Sequence, residues 1–234
     1  MVSIDNIKRA SSLNDFKEAL GYGFQSVVLV GSASVSLSDR DSQIVSELDK
    51  PIFVYFNHAS LSSELQCYYP KDYGEVLFLR AGGGNLHGVD VDGKMWFKPK
   101  DRKRFSGCFL INPPKNFLIE DCSNAFLVRG ELYESVRRDY PENESGSISP
   151  STGYFAERIF RQLLEEAPEG DGVIYTVGFG LDSSVQKSAT HNLPFEQEEQ
   201  KRKFTSGALV SLGEILKARV PENKRVRPIE YQQG

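Results

Sequence analysis

The chain is short of most features that would announce a partner. Its 234 residues include 3 cysteines, 3 histidines, 2 methionines and 1 tryptophan. Cys67, Cys108 and Cys122 are an odd number, far apart in sequence, with no C-x-x-C. That argues against a disulfide framework or a zinc site and fits reduced thiols. No window approaches the ~18 consecutive apolar residues of a membrane span. The opening stretch, MVSIDNIKRASSLNDF, has no apolar core of signal-peptide type. Basic residues are not in excess: 28 Lys and Arg stand against 32 Asp and Glu, a formal net charge of −4. Without a global basic field, nucleic acid is not expected as a partner. There is no internal repeat, no low-complexity block and no G-x-G-x-x-G, so a dinucleotide fingerprint is not supported. The expectation is a soluble, cytoplasmic protein with at most peripheral membrane association.

What is present is an alternation of strands and helices. SVVLVG (26–31) is a nearly all-apolar run ending in glycine, as a buried parallel strand would be. SLSDRDSQIVSELD (36–49) reads as the next helix and PIFVYFN (51–57) as a second strand, so a βαβ unit opens the chain. Further strands are expected at 75–80, 107–112, 124–129 and 172–180. Residues 81–106 read as loops with a hairpin at VDVDGKMWF (89–97), and 139–149 as a polar approach to the turn at 150–153. A last helix spans roughly 195–218, with acids first and LKAR at its end to suit the macrodipole. The expected class is α/β: a single Rossmann-like domain over 1–220 with a mostly parallel twisted sheet flanked by helices, then a polar tail, 221–234.

SISPSTGYFAERIF (147–160) places Pro-Ser-Thr-Gly directly before an amphipathic run. Ser149 or Ser151 can cap the helix, and Pro150 suits its first turn. Phe155, Ile159 and Leu163 with Ala156, Phe160 and Leu164 form one apolar face. The free amides of such a helix start, flanked by hydroxyls and with Gly153 allowing close approach, suit a phosphate or carboxylate. In parallel sheets ligands bind beyond the carboxyl ends of the strands. Three segments are expected there: VVLVGSASVSL (27–37), the Pro-Ser-Thr-Gly turn with the later VIYTVGFG (173–180), and THNLPFEQE (190–198), where His191 and Glu196 are spaced H-x4-E.

In this order the three segments resemble the large, small and very small sialylmotifs of the sialyltransferases, glycosyltransferases that use CMP-sialic acid. The resemblance covers roughly a third of the chain; 58–146 resembles nothing assigned. It implies a GT-A-variant, sialyltransferase-like fold and a metal-independent, inverting transfer to a free or lipid-linked glycan acceptor, with no cofactor. It implies His191 as general base with Glu196 in support, an imidazole being suited to that role near neutral pH. The implied donor-binding residues are Gly31, Ser32, Ser34 and Asn57, the turn residues Ser151, Thr152 and Gly153, and Gly178, Phe179 and Gly180. Ser32 replaces the large motif's asparagine, Tyr55 replaces its later arginine, and the cysteines joining the large and small motifs in Golgi members are absent. These departures leave the donor open between CMP-sialic acid and a related CMP-Kdo, and leave open a non-catalytic nucleotide-binding relative. His58 and His87 read as ordinary exposed histidines. DVD (90–92) imitates the metal-binding D-x-D of other glycosyltransferases that use UDP- or GDP-sugars, but Gly93 after it makes a hairpin turn the simpler reading. The basic cluster KPKDRKR (98–104) reads as a solvated face.

Overall fold

The computed structural model describes residues 2–21, 23–31, 35–56, 65–82, 85–86, 105–113, 118–119, 124–144, 146–166, 173–178 and 191–215. Among the described residues there are eight principal strands, all but the first short and largely apolar: β1 (Lys8–Ala10), β2 (Ser26–Val30), β3 (Pro51–Phe56), β4 (Gly74–Gly82), β5 (Gly107–Ile111), β6 (Ala125–Val128), β7 (Ile174–Val177) and β8 (Leu209–Leu212). They pair in the order β8-β7-β2-β3-β4-β5-β6-β1, every pair parallel. Parallel strands covered on both faces need apolar residues throughout, and all six residues of β3 are buried. Three two-residue antiparallel additions fringe the sheet: Val2–Ser3 with Leu118–Ile119, Val35–Ser36 with Glu214–Ile215, and Asn85–Leu86 with the end of β4. The protein is thus α/β, with a mostly parallel, Rossmann-like sheet flanked by helices.

Among the described residues five α-helices connect the strands: α1 (Leu13–Leu20), α2 (Asp39–Glu47), α3 (Gly130–Arg137), α4 (Thr152–Glu165) and α5 (Leu193–Ser206). All but α3, whose N-cap Arg129 makes no side-chain cap, start with capping chemistry. Ser12 and Asp15, then Ser38 and Asp41, form reciprocal capping boxes, while Ser151 and Asn192 each accept a backbone N–H of the first turn. Alternation along the strands divides the core. Val27, Leu29, Ile52, Val54, Val76 and Phe78 face Phe16 of α1, Leu132 of α3 and Phe155 and Phe160 of α4. Val28, Val30, Phe53, Tyr55 and Leu77 face the opposite way, toward Val45 of α2 and Leu65. Phe160 is the keystone of the first layer, meeting Phe16, Phe24 and Phe78 at ring distances of 5.7, 5.6 and 6.2 Å.

Several boundaries differ from the sequence reading. The expected C-terminal helix over 195–218 ends at Ser206, because Gly207 adopts the left-handed conformation (φ 77°), and LVSL beyond it becomes β8. The βαβ unit at 26–56 does not open the chain: β1 and α1 precede it, and α3 fills part of a stretch with no assigned helix. β1 is three residues of mixed polarity whose strand character comes from pairing with β6. Pro150 precedes the Ser151 cap instead of entering the first turn. The expected strand 172–180 is described as 174–177, stopped by Gly178 at φ 67°. The hairpin at 89–97, the DVD segment, the basic cluster 98–104 and the tail 221–234 lie outside the described residues. Among the described residues, no helix is long and apolar enough to cross a membrane.

Phe160 is completely buried, so Phe160→Ala should destabilise the fold by about 3 to 5 kcal/mol. Urea unfolding followed by circular dichroism measures this; a loss below about 1 kcal/mol would mean that Phe160 does not anchor this layer.

Candidate functional site

The strand order reverses between β2 and β7. From β2 the chain proceeds through β3, β4, β5 and β6 toward one edge, then returns to place β7 on the other side of β2. Such a switch point opens a crevice at the carboxyl ends of the strands. Gly31 and Gly178 meet there, the Gly31 N–H donating to the Val177 carbonyl at 2.8 Å. The positive φ of the buried Gly178 excludes a side chain from this junction without strain.

The second group of candidates gathers at the same edge of the sheet, around the N-termini of α4 and α5. A helix leading into a parallel strand runs antiparallel to it, so its N-terminus lies at the strands' carboxyl ends. Both helices lie on the face that carries Phe78, and Glu157 of α4 ties them together through Lys203 of α5 at 2.6 Å, while Arg161, one turn further along α4, also reaches Glu157 at 3.4 Å. The Glu196 carboxylate, only 4% exposed, accepts the Ser151 N–H at 2.7 Å and the Tyr140 hydroxyl at 2.7 Å. The Tyr140 oxygen in turn accepts the Asn192 N–H at 2.8 Å, and the Asn192 side-chain amide donates to the Glu142 carbonyl at 3.0 Å. A buried carboxylate therefore links the start of one helix to the start of the next.

His191 closes this arrangement. Its Nδ1 lies 2.7 Å from the Ser149 carbonyl oxygen. A carbonyl only accepts, so Nδ1 carries the proton and Nε2 is the basic nitrogen of the neutral ring. Arg80, near the end of β4, reaches the same residue from the sheet, its guanidinium donating to the Ser149 hydroxyl. Arg137 of α3 donates through Nε to the neighbouring Ile148 carbonyl at 3.2 Å. The Ser151 hydroxyl is spent as a cap, on the Tyr154 N–H at 3.2 Å. Thr152 and Gly153 occupy the first two helical positions, whose amides have no carbonyl within the helix to reach, and among the described residues neither amide donates a hydrogen bond. Two amides with no intrahelical acceptor, an imidazole held through Nδ1 and a guanidinium bonded to Ser149 are thus gathered at this helix start.

The structure thus brings Ser151, Thr152, Gly153, His191 and Glu196 together, and Gly31 with Gly178. Ser32, Ser34, Asn57, Phe179 and Gly180 lie outside the described residues. Glu196 supports a helix N-terminus as its charge suggests, but it is that of α4. Tyr55 is fully buried beside Tyr69 on the sheet face away from α4. Arg80, Arg137, Tyr140 and Asn192 escaped the sequence reading. For Arg80 a signal existed: an arginine where the inward alternation Val76, Phe78 calls for a third apolar side chain. Among the described residues no group of three or more His, Cys, Asp or Glu is placed to hold a metal.

Burial, then the adjacent Glu196 charge, raises the Tyr140 pKa far above the usual 10, and burial pushes Tyr154 up to about 12. Both phenols keep in the folded state a proton that the unfolded chain releases near pH 10. Their stabilising contribution is therefore full below pH 10 and lost as pH rises through and beyond 10 to 12. Tyr140→Phe should cost about 1 to 3 kcal/mol at neutral pH, since it deprives a buried carboxylate of a donor. It should also flatten the alkaline fall in stability. Urea midpoints across this range measure both; an alkaline limb unchanged in the variant would exclude Tyr140 as its source.

Compared with protein-family models, with curated proteins and with solved structures, the chain shows no match.

Proposed function

We propose that this chain is an inverting glycosyltransferase that moves sialic acid, or a related ulosonic acid such as Kdo, from its CMP-activated donor to a glycan hydroxyl. The observation that carries the reading is the union of the unengaged α4 amides with a His191 imidazole whose basic nitrogen is defined by the Ser149 carbonyl. It is the pairing this chemistry requires, an anion cradle and a base that is held by the same short piece of backbone, 149–153. The three sialylmotif-like segments, in the family's order, supply the choice of donor.

In this mechanism the bond between the anomeric carbon and the phosphate oxygen breaks as the sugar becomes oxocarbenium-like. The electron pair stays with the phosphate of the departing CMP. The amides of Thr152 and Gly153, at the positive end of α4, stabilise that growing charge in a preorganised way. On the opposite face of the sugar, His191 Nε2 takes the proton of the acceptor hydroxyl while its oxygen forms the new bond. Attack opposite the leaving group inverts the anomeric centre. Gly31 and Gly178 shape the neighbouring crevice for the nucleoside, and Ser32, Ser34, Asn57, Phe179 and Gly180 continue those segments as donor contacts. Glu196 supports the assembly from behind. The chemistry asks for no metal and no cofactor, and the acceptor is a free or lipid-linked glycan.

A non-catalytic nucleotide-binding relative is the second reading. It is favoured by Tyr55, which stands where the large motif carries arginine and is buried away from α4. Release of CMP from CMP-sialic acid in the presence of acceptor separates the two.

CMP at ~100 times its dissociation constant should stabilise the fold by about 2.7 kcal/mol in a thermal-shift titration. Gly153→Val, which crowds the first-turn amides, should abolish the shift. A response to UDP with manganese and none to CMP would overturn the assignment. His191→Ala should retain CMP binding and lose only about 1 kcal/mol of stability with the Ser149 bond. Its transfer rate should fall by roughly 10² to 10⁴. Near wild-type transfer by this variant would remove His191 from the mechanism.

A further inference from the structure

The most anomalous residue near the site is Arg80. It ends the inward series Val76, Phe78, Arg80 on β4, pairs in register with Ile111 of β5, and is only 7% exposed. Removing a guanidinium from water costs several kcal/mol before any partner is counted. A strand that places a charge where its own alternation calls for an apolar residue breaks a local rule, and such breaks concentrate at functional sites.

Three roles are open to a buried arginine beside an anion site. Direct contact with substrate is disfavoured by the burial of Arg80. Neutralising Glu196 is part of its surroundings: burial lowers the Arg80 pKa while Tyr133, Glu196 and Tyr140 oppose that fall and Arg137 adds to it. Charge balance alone, however, does not specify the hydrogen bond that Arg80 makes. That bond goes to the Ser149 hydroxyl, on the residue whose carbonyl receives His191 Nδ1–H.

We propose that Arg80 is a positioning residue: it anchors Ser149 to the sheet so that the Ser149 carbonyl holds the His191 imidazole with its proton on Nδ1 and its basic Nε2 toward the α4 mouth. Arg137 steadies the same strand of backbone one residue earlier, through the Ile148 carbonyl. Ile148 and Ser149 are thus gripped by two arginines, from β4 and from α3, immediately before the helix whose amides form the cradle. The register between base and cradle is then set by the sheet, through Arg80, and not by the polar approach segment alone. The inference rests on the proposed transferase reading for its catalytic meaning, but its structural content is separate.

The test is the tautomer of His191, read by long-range ¹H–¹⁵N spectra of histidine-labelled protein at a pH where the ring is neutral, with the resonance assigned by its loss in His191→Ala. Wild type should show the Nδ1–H pattern. Arg80→Met, which keeps the length and removes the fork, and Ser149→Ala, which removes the hydroxyl and keeps the carbonyl, should both lose it in favour of a mixture. Arg80→Lys should restore it in part. Where Arg80→Met does not fold, Ser149→Ala decides. CMP release from CMP-sialic acid with acceptor should fall in the same variants by roughly 10- to 100-fold in kcat, with the donor KM little changed. An intact Nδ1–H pattern in folded Ser149→Ala overturns the proposal whatever the activity. The expected tautomer changes in a protein that never releases CMP uphold the positioning and overturn the transferase reading instead.

Discussion

A single buried carboxylate organises the whole mouth of the sheet. The fold brings the N-termini of α4 and α5 side by side, and two such ends repel because each carries unsatisfied N–H groups and a partial positive charge. Glu196 answers both. It grows from the first turns of α5, where its charge suits that helix, and its oxygen accepts the Ser151 N–H at the start of α4. Tyr140 adds its hydroxyl to the carboxylate and its oxygen lone pair to the Asn192 amide, so the junction is satisfied from two sides. An unpaired charge in this position would be prohibitively costly; fully bonded, it defines where both helices begin.

The consequence is a division of labour among the polar groups. The amides of Ser151 and Asn192 are consumed where packing needs them, and those of Thr152 and Gly153, the first two helical residues, have no acceptor within the helix. The bridging of Glu157 to Lys203 and Arg161 repeats the principle lower on the same pair of helices. Two buried acids, at residues 157 and 196, therefore hold α4 and α5 in fixed register, and an apolar interface is left to do the rest through Phe155, Phe195 and Phe204.

Much of this was legible in the sequence where one physical signal dominates. Strands β2 to β5 and β7 read correctly because a parallel strand covered on both faces must be a short continuous apolar run. The start of α4 read correctly because a hydroxyl cap precedes an amphipathic stretch, whereas α2, expected from residue 36, begins at Asp39 because Ser36 pairs with Glu214. The turn at 150–153 was legible as a helix start and Glu196 as an acid suited to one. What escaped depends on tertiary partners. β1 has no pattern of its own and is a strand because β6 lies beside it. α5 ended earlier than expected because one left-handed glycine outweighed the apolar periodicity beyond it. Tyr140 sat in a stretch so polar that nothing marked it as core, and Arg80 looked like an ordinary strand-ending charge. In both, the decisive fact is the partner, Glu196 or Ser149, which lies far away in the chain.

The strand order also sets a timetable for the molecule. Strands β2 to β6 each lie next to their sequence neighbours, as Val27 pairs with Ile52, Ile52 with Gly74, Val76 with Gly107 and Ala125 with Cys108. Lys8 pairs with Phe126 and Val27 with Ile174, contacts that join opposite halves of the chain and carry the larger entropy of closure. On a ribosome, β7, α5 and β8 emerge last, after most of the sheet has its partners. The arginine on β4 thus waits for the serine before α4, and both wait for the histidine before α5. A nascent chain thus pairs most of its sheet before the contacts that join Arg80, Ser149 and His191 can form.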